Sequence, residues 1–139
     1  MNKFLQDIKD FHEKFQLTYI GPPRELPDEL AKFRKAFMEE ELDEYIDSRY
    51  LPGKLDALVD LMYVVLGTAY LHGFPFEEAW RRVHEANMKK VRAQSSRSKF
   101  DVIKPEGWTP PALSDLCYGR QEDLFPDPDY GDVSKGGDY

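Results

Sequence analysis

The most informative stretch of this sequence is FMEEELDEY, Phe37–Tyr45, because it places acidic residues where a helix should be apolar. Leu30, Phe33 and Phe37 recur at helical spacing and predict a buried stripe along one helix face. Further along the helix, the same stripe continues onto three carboxylates: Glu40, Glu41 and Glu44.

The next apolar helix contains the same anomaly. Asp60 lies inside the apolar run Leu58–Val65, and Asp56 lies one turn before it. Carboxylates on core-facing sides repel one another and lose their hydration, which is costly. A divalent cation between them would remove both costs, so we expect Mg²⁺, or Mn²⁺, at a site for a phosphorylated substrate. The expected metal ligands come from both helices: Glu40, Glu41, Glu44, Asp56 and Asp60.

A solvated acidic helix face is the alternative explanation. It suits Glu39 and Asp43, which lie among other exposed-type positions. It does not suit Asp60, whose apolar neighbours leave no obvious solvent face. Asp56 is open to both explanations, because an acid near a helix start also complements the helix dipole.

Composition restricts the class of protein. The chain has 139 residues, 41% of them hydrophobic, enough for one domain with a core. The only cysteine, Cys117, excludes an internal disulfide and fits a reducing cytoplasm. No continuous apolar run has the length of a membrane span, and the net charge is −7. We therefore expect neither a membrane nor a nucleic acid as partner.

Four helices are predicted, over about residues 2–15, 27–50, 54–72 and 76–93, with antiparallel neighbours. Asn2 is the expected N-cap of the first helix and Gly73 the expected C-cap of the third. The third helix is apolar nearly all round and should be the central one, and Trp80 of the fourth should be a core residue. This predicts an all-α four-helix bundle with a helical catalytic domain over 1–95. Residues 96–139 should form an irregular, nonhelical C-terminal extension or arm, with one short extended piece near residue 102.

Several motifs together resemble a known family. They are the EExxE pattern ending at Glu44, the segment Asp56–Gly67, the segment Val83–Lys90 and the segment Gly107–Pro111. The first three resemble the MazG-like all-α nucleoside triphosphate pyrophosphohydrolases, which are related to phosphoribosyl-ATP pyrophosphohydrolases. The last resembles phage-type members, which include the dGTP-directed MazZ group.

This resemblance implies Mg²⁺-dependent hydrolysis of a nucleoside or deoxynucleoside triphosphate to the monophosphate and pyrophosphate. It also implies a homodimer or homotetramer in the cytoplasm, the host's cytoplasm for a phage protein. The family's acidic motif is EExxE followed by ExxD. The first acid of ExxD falls at Ala57 here, and Asp56, one position earlier, could substitute for it. Four residues match the motif directly: Glu40, Glu41, Glu44 and Asp60.

Substrate-binding residues are also implied. In resembling sequences an asparagine and a lysine three residues later contact the substrate, which gives Asn87 and Lys90 on the predicted fourth helix. Arg92 offers a second cation to the pyrophosphate group. Tyr19 and Arg24 lie in a loop that could form part of a base pocket or could simply connect two helices.

For catalysis, we expect Glu40 or Glu41 to orient or deprotonate the water that attacks the α-phosphorus. Among substrates dGTP is the first choice, and a dUTPase-like or housecleaning activity is the alternative. A di-iron bundle would need Glu-x-x-His on two helices, which this sequence lacks. A noncatalytic helical partner protein is the remaining rival, in which the acids would only be surface residues.

Overall fold

The computed structural model describes residues 2–118. This part of the chain is helical with one very short strand pair, which confirms the predicted all-α fold. One compact unit ends at Phe74 and a second begins at Pro75. The predicted boundary of a catalytic domain at residue 95 stays a prediction, and residues 119–139 of the predicted arm lie outside the described residues. The helices are α1 (Lys3–Lys14), α2 (Asp28–Asp47), α3 (Leu51–His72), α4 (Phe76–Asn87) and α5 (Ser114–Tyr118), and the strands are β1 (Val91–Arg92) and β2 (Val102–Ile103).

The first helix begins as predicted. The Asn2 side-chain oxygen accepts hydrogen bonds from the backbone N–H groups of Phe4 and Leu5, at 2.7 and 3.4 Å. The helix buries Ile8 and His12, which are one turn apart. The α1 face towards the core of the first unit is therefore narrow.

The second and third helices pack antiparallel. Near the start of α2, Arg34 donates to the Thr68 hydroxyl near the end of α3, at 3.0 Å. Near the end of α2, the Tyr45 carbonyl accepts a hydrogen bond from the Lys54 ammonium at the start of α3, at 2.9 Å. The third helix begins three residues earlier than predicted, because Pro52 falls in its first turn, where proline removes no helical hydrogen bond.

The third helix supplies most of the core. It contributes five of the eight buried hydrophobic residues found within residues 2–118. Gly73 ends it in the left-handed conformation, with φ of 76°, which confirms the predicted cap. By length and composition alone α3 could cross a membrane. Core helices of water-soluble proteins have the same properties, and 33% of this apolar stretch is buried.

Part of this helix is not covered by the rest of its unit, although α3 was predicted to be the central helix and supplies most of the core. In its first half the exposed apolar side chains include Leu51, Leu55 and Val59. Phe33 of α2, predicted in a buried stripe, is also exposed. The reason is that α1 and α2 are the helices that pack on α3 within this unit, and they leave this side open.

In the second unit, the fourth helix ends at Asn87 and not near residue 93. The chain turns after Asn87, and Val91 then pairs antiparallel with Ile103. This pairing satisfies backbone groups that a longer helix would have bonded internally. The prediction that Lys90 and Arg92 lie on the same helix as Asn87 is therefore wrong. Trp80 is exposed and not a core residue, since no element described in this unit covers it.

The described part of the C-terminal extension packs on α4. The indole N–H of Trp108 donates to the Ala86 carbonyl at 2.7 Å. Arg82 donates to the Asp115 carboxylate at 2.7 and 3.1 Å and to the Ala112 carbonyl at 2.9 Å. These contacts hold the segment that includes α5 against the helix.

Candidate functional site

Three of the five predicted metal ligands meet in the first unit. One carboxylate oxygen each from Glu41, Glu44 and Asp60 lies within 4.8 Å of the other two. Glu41 and Glu44 are three residues apart on α2 and so share a face. The antiparallel α3 brings Asp60 to the same place. We call these three residues the acidic cluster.

The acidic cluster is electrostatically unfavourable without a cation. Glu41 is only 8% exposed, and among residues 2–118 its Oε2 atom has no hydrogen-bond partner. Burial, followed by the contact with Glu44 and the charge of Asp60, raises the pKa of Glu41 to about 7. Burial also raises the pKa of Asp60, with smaller effects from Asp56 and Glu44. The fold holds these acids together at a cost in free energy.

This donor set fits a hard divalent cation. All three ligands are carboxylates, and within residues 2–118 no lysine or arginine forms an ion pair with them. A cation would provide a partner for the buried oxygen of Glu41 and would cancel the repulsion between Glu44 and Asp60. Nitrogen and sulfur ligands, which softer metals prefer, are absent from the cluster.

The other two predicted ligands lie beside the cluster. Glu40 is exposed and lines a cavity of about 210 Å³ together with Phe33 and Phe37. Asp56 is exposed and is near enough to raise the pKa of Asp60. Ala57, which stands where the family motif has the first acid of ExxD, is buried. The roles of Glu40 and Asp56 as ligands stay predictions.

The sequence was also compared with protein families. The model of the family described as phosphoribosyl-ATP pyrophosphohydrolase matches residues 8–87, more than half of the chain. This chain belongs to the phosphoribosyl-ATP pyrophosphohydrolase family. The family is part of the MazG-like all-α pyrophosphohydrolase superfamily, whose members typically depend on a divalent metal. A comparison with curated proteins gave no match.

Membership of this family gives the acidic cluster a chemical context. Family members hydrolyse pyrophosphate bonds in nucleotide-like substrates. The matched region contains all three residues of the cluster and ends at Asn87, so the segment after α4 lies outside it. A cation site for a phosphorylated substrate, predicted from the acids, agrees with this family.

Tyr19 and Arg24, predicted in a base pocket, connect the loop before α2 to the end of α3. The Arg24 guanidinium lies 3.7 Å from the centre of the Tyr19 ring and donates to the Leu71 carbonyl at 2.9 Å. The Tyr19 hydroxyl donates to the Pro22 carbonyl at 2.6 Å. These contacts agree with the connector explanation, and a role in substrate binding stays a prediction.

The remaining predicted substrate-binding residues belong to the second unit. Asn87 is the exposed last residue of α4. Lys90 lies in the turn that follows, where its backbone N–H donates to the Asn87 carbonyl at 3.0 Å. Arg92 is exposed on β1. Their contact with substrate stays a prediction of the family resemblance.

Sequence reasoning missed Arg34. This half-buried residue of α2 donates to Thr68 and to the Val64 carbonyl of α3, and so fixes the two helices that carry the acidic cluster. The available signal was the position of Arg34, four residues after Leu30 and three before Phe37, which places a basic residue on the face of the apolar stripe.

Proposed function

We propose that this protein hydrolyses a nucleoside or deoxynucleoside triphosphate to the monophosphate and pyrophosphate, with Mg²⁺ as the natural cofactor and Mn²⁺ as a substitute. The observation that carries the proposal is the acidic cluster, in which the buried Glu41 meets Glu44 and Asp60 and its Oε2 atom has no hydrogen-bond partner among the described residues. Such a cluster is unfavourable by itself and becomes favourable when it binds a cation.

In this proposal Glu41, Glu44 and Asp60 hold the cation. A bound Mg²⁺ would neutralise the negative charges of the phosphates on either side of the bond that breaks. The three carboxylates must be ionised to bind it. They are therefore poor acceptors for the proton of the attacking water, and another group has to accept it.

Glu40 is the proposed general base. It directly precedes Glu41 on the same helix, is exposed, and is not among the three converging carboxylates. Water adds to the α-phosphorus, its proton passes to a Glu40 carboxylate oxygen, and the bond between the α-phosphorus and the oxygen that links it to the β-phosphorus breaks, so that pyrophosphate leaves with that oxygen. Asp56, beside Asp60 on α3, is the other carboxylate near enough to be considered.

Our first choice of substrate is dGTP, which rests on the likeness of Gly107–Pro111 to phage-type members. A second candidate is phosphoribosyl-ATP, which is favoured by the description of the matching family. The third candidate is dUTP, the substrate of a dUTPase-like activity. All three carry the pyrophosphate bond that the proposed chemistry breaks, so the acidic cluster does not distinguish them.

The test is a hydrolysis screen with purified protein. The eight standard nucleoside and deoxynucleoside triphosphates and phosphoribosyl-ATP are each incubated with Mg²⁺ or Mn²⁺, and products are identified by chromatography. We expect monophosphate and pyrophosphate in equal amounts, and no product in excess EDTA. Glu44→Gln and Asp60→Asn should abolish turnover, and Glu40→Gln should reduce it by about 100-fold or more as a lost general base.

Glu39→Gln is the matched control, because Glu39 is an exposed neighbour paired with Lys35 at 3.6 Å. It should keep normal activity. Near-normal turnover in both Glu44→Gln and Asp60→Asn would refute the assigned site. A larger loss of turnover in Asp56→Asn than in Glu40→Gln would show that Asp56, and not Glu40, is the general base.

We further infer that the protein acts as a homodimer or homotetramer in a cytoplasm, the host's if the protein is phage-encoded. The exposed apolar side chains Leu51, Leu55 and Val59 on one part of α3 support self-association, since monomeric proteins rarely expose such a contiguous set. The single free cysteine, Cys117, fits a reducing compartment.

A further inference from the structure

A groove runs along one face of α2 in the first unit. It is the cavity of about 210 Å³ lined by Phe33, Ala36, Phe37 and Glu40, and we call it the α2 groove. These residues recur every three or four positions, so their side chains share one face of the helix. The cavity is smaller than the about 300–1,000 Å³ of a site for a drug-sized ligand. It therefore has room for one ring system and not for a whole nucleotide.

The walls of the α2 groove are aromatic, and one of them is held in place. Phe37 is half-buried, and the guanidinium of Arg34, which is bonded to the Val64 carbonyl of α3, lies 5.6 Å from the centre of its ring. Phe33 meets the Phe37 ring edge-on, with the ring centres 5.9 Å apart. Phe33 is nevertheless 60% exposed, so an aromatic surface next to a fixed ring is open to a ligand.

One end of the α2 groove lies at the acidic cluster. Glu40 lines the groove and directly precedes Glu41. Burial is the main cause of the raised pKa of Glu41, and the charge of Glu40 adds to it, so the two carboxylates are close enough to interact. Phe33, at the other end, lies seven residues before Glu40, which is about 10 Å along a helix. This length is comparable with the reach of a nucleotide from its α-phosphorus to the far edge of its base.

We propose that the α2 groove binds the base of the nucleotide substrate. The inference rests on the proposed function, in which Glu40 faces the α-phosphorus. From there the β- and γ-phosphates extend towards Glu44, and the nucleoside extends the opposite way along α2, where its base stacks on Phe33. The three apolar residues of the groove have no polar side-chain atom. The groove therefore holds a base by its ring and does not distinguish the hydrogen-bonding edges of dGTP and dATP.

The experiment measures binding without hydrolysis. The α,β-methylene analogue of dGTP cannot react, because carbon replaces the oxygen between its α- and β-phosphorus atoms. Its dissociation constant in Mg²⁺ is measured by calorimetry, and inorganic triphosphate, which has the phosphates but no base, is the reference ligand. Ala36→Leu should fill the groove and weaken binding of the analogue by at least about tenfold. It should leave binding of inorganic triphosphate unchanged, because leucine at this exposed position keeps the helix.

Ala31→Leu is the matched control. Ala31 is also an exposed alanine of α2 but is not among the residues that line the groove, so this variant should bind both ligands normally. A second pair of variants tests the stacking itself. Phe33→Leu should weaken binding of the analogue about tenfold because it removes the ring, and Phe33→Tyr, which keeps the ring, should bind it normally.

Normal binding of the analogue in both Ala36→Leu and Phe33→Leu would overturn the base site, and so would an equal loss of inorganic triphosphate binding in these variants. Light scattering covers the other possible occupant, a second copy of the chain. If the two variants become monomeric and still bind the analogue normally, the groove is an interface between copies and not a base site. Absence of hydrolysis with base-dependent binding intact would refute the proposed function alone.

Discussion

Arg34 donates a hydrogen bond to the backbone carbonyl of Val64 at 2.9 Å, from one helix of the acidic cluster to the other. Its Nε atom donates to the Thr68 hydroxyl. Within residues 2–118 no carboxylate pairs with this guanidinium, and burial lowers the pKa of Arg34. The two planar donors fix the position of α2 along α3, which is what aligns Glu41 with Asp60.

Arg34→Lys should therefore destabilise the protein although it keeps the charge. A lysine has one ammonium and cannot reproduce the fork that reaches both acceptors. We expect the free energy of unfolding to fall by about 1–3 kcal/mol, measured by urea denaturation. Lys35→Gln, at the exposed neighbour, should change it by less than about 0.5 kcal/mol. Equal effects of the two variants would show that Arg34 is not a link between the helices.

The metal-free protein should lose stability as pH rises from about 4.5 to about 7. Glu41 has an ordinary pKa near 4.5 when unfolded and a pKa of about 7 when folded. Between these values the folded state holds a proton that the unfolded state has released, so each step up in pH favours unfolding. Above about pH 7 the folded state carries the ionised, desolvated carboxylate. Thermal denaturation in EDTA across this range would measure the fall.

Glu41→Gln isolates the contribution of this carboxylate. His12 acts in the opposite direction, because burial lowers its pKa and so favours folding as pH rises. The informative quantity is thus the difference in melting temperature between wild type and Glu41→Gln. The two melting temperatures should be similar near pH 4. Up to pH 8, the melting temperature of Glu41→Gln should rise increasingly above that of the wild type. A difference that does not vary with pH would contradict the raised pKa.

A divalent cation should reverse this loss in the absence of any substrate. At pH 8, Mg²⁺ or Mn²⁺ at 100 times its dissociation constant should stabilise the protein by about 2.7 kcal/mol. Thermal denaturation should show a higher melting temperature that EDTA restores to its starting value. Asp60→Asn should lose most of the gain, and Glu39→Gln should keep it. An equal rise in melting temperature in the wild type and both variants would show that the cation binds outside the acidic cluster.

The acidic cluster was predictable because its signals are local. Glu41 and Glu44 share a helix face by their spacing, and Asp60 interrupts an apolar run. Both features can be read without knowing which helices pack together. The caps at Asn2 and Gly73 were predictable for the same reason, since each depends on one residue type at a helix end.

What could not be predicted depends on distant parts of the chain. The fourth helix stops at Asn87 because Val91 finds a strand partner in Ile103, twelve residues further on. The exposure of Leu55 depends on which helices cover α3, and periodicity does not contain that information. Arg34 was missed because its acceptors are one backbone carbonyl and one hydroxyl, and no acidic residue in the sequence indicates them.

Gln16→Gly should stabilise the protein. Gln16 follows the last turn of α1 with φ of 58°, the left-handed conformation that residues with a side chain disfavour. Glycine should raise the free energy of unfolding by about 1 kcal/mol at this position. Gln6→Gly, within α1, is the control and should lower it by about 1 kcal/mol. If both variants lower the stability, measured by urea denaturation, Gln16 is not strained.

Leu55→Glu should dissociate the protein into monomers. Leu55 is 65% exposed on α3, so the fold of one chain does not need it, but a charge there would be buried in an interface between copies. Light scattering of the wild type should give two or four times the mass of one chain, and the variant should give one. Ile20→Glu is the control, since Ile20 is 91% exposed in the loop before α2 and should leave the assembly intact. A wild type that is already monomeric would exclude the proposed interface. Circular dichroism of Leu55→Glu should show unchanged helix content, which separates dissociation from unfolding.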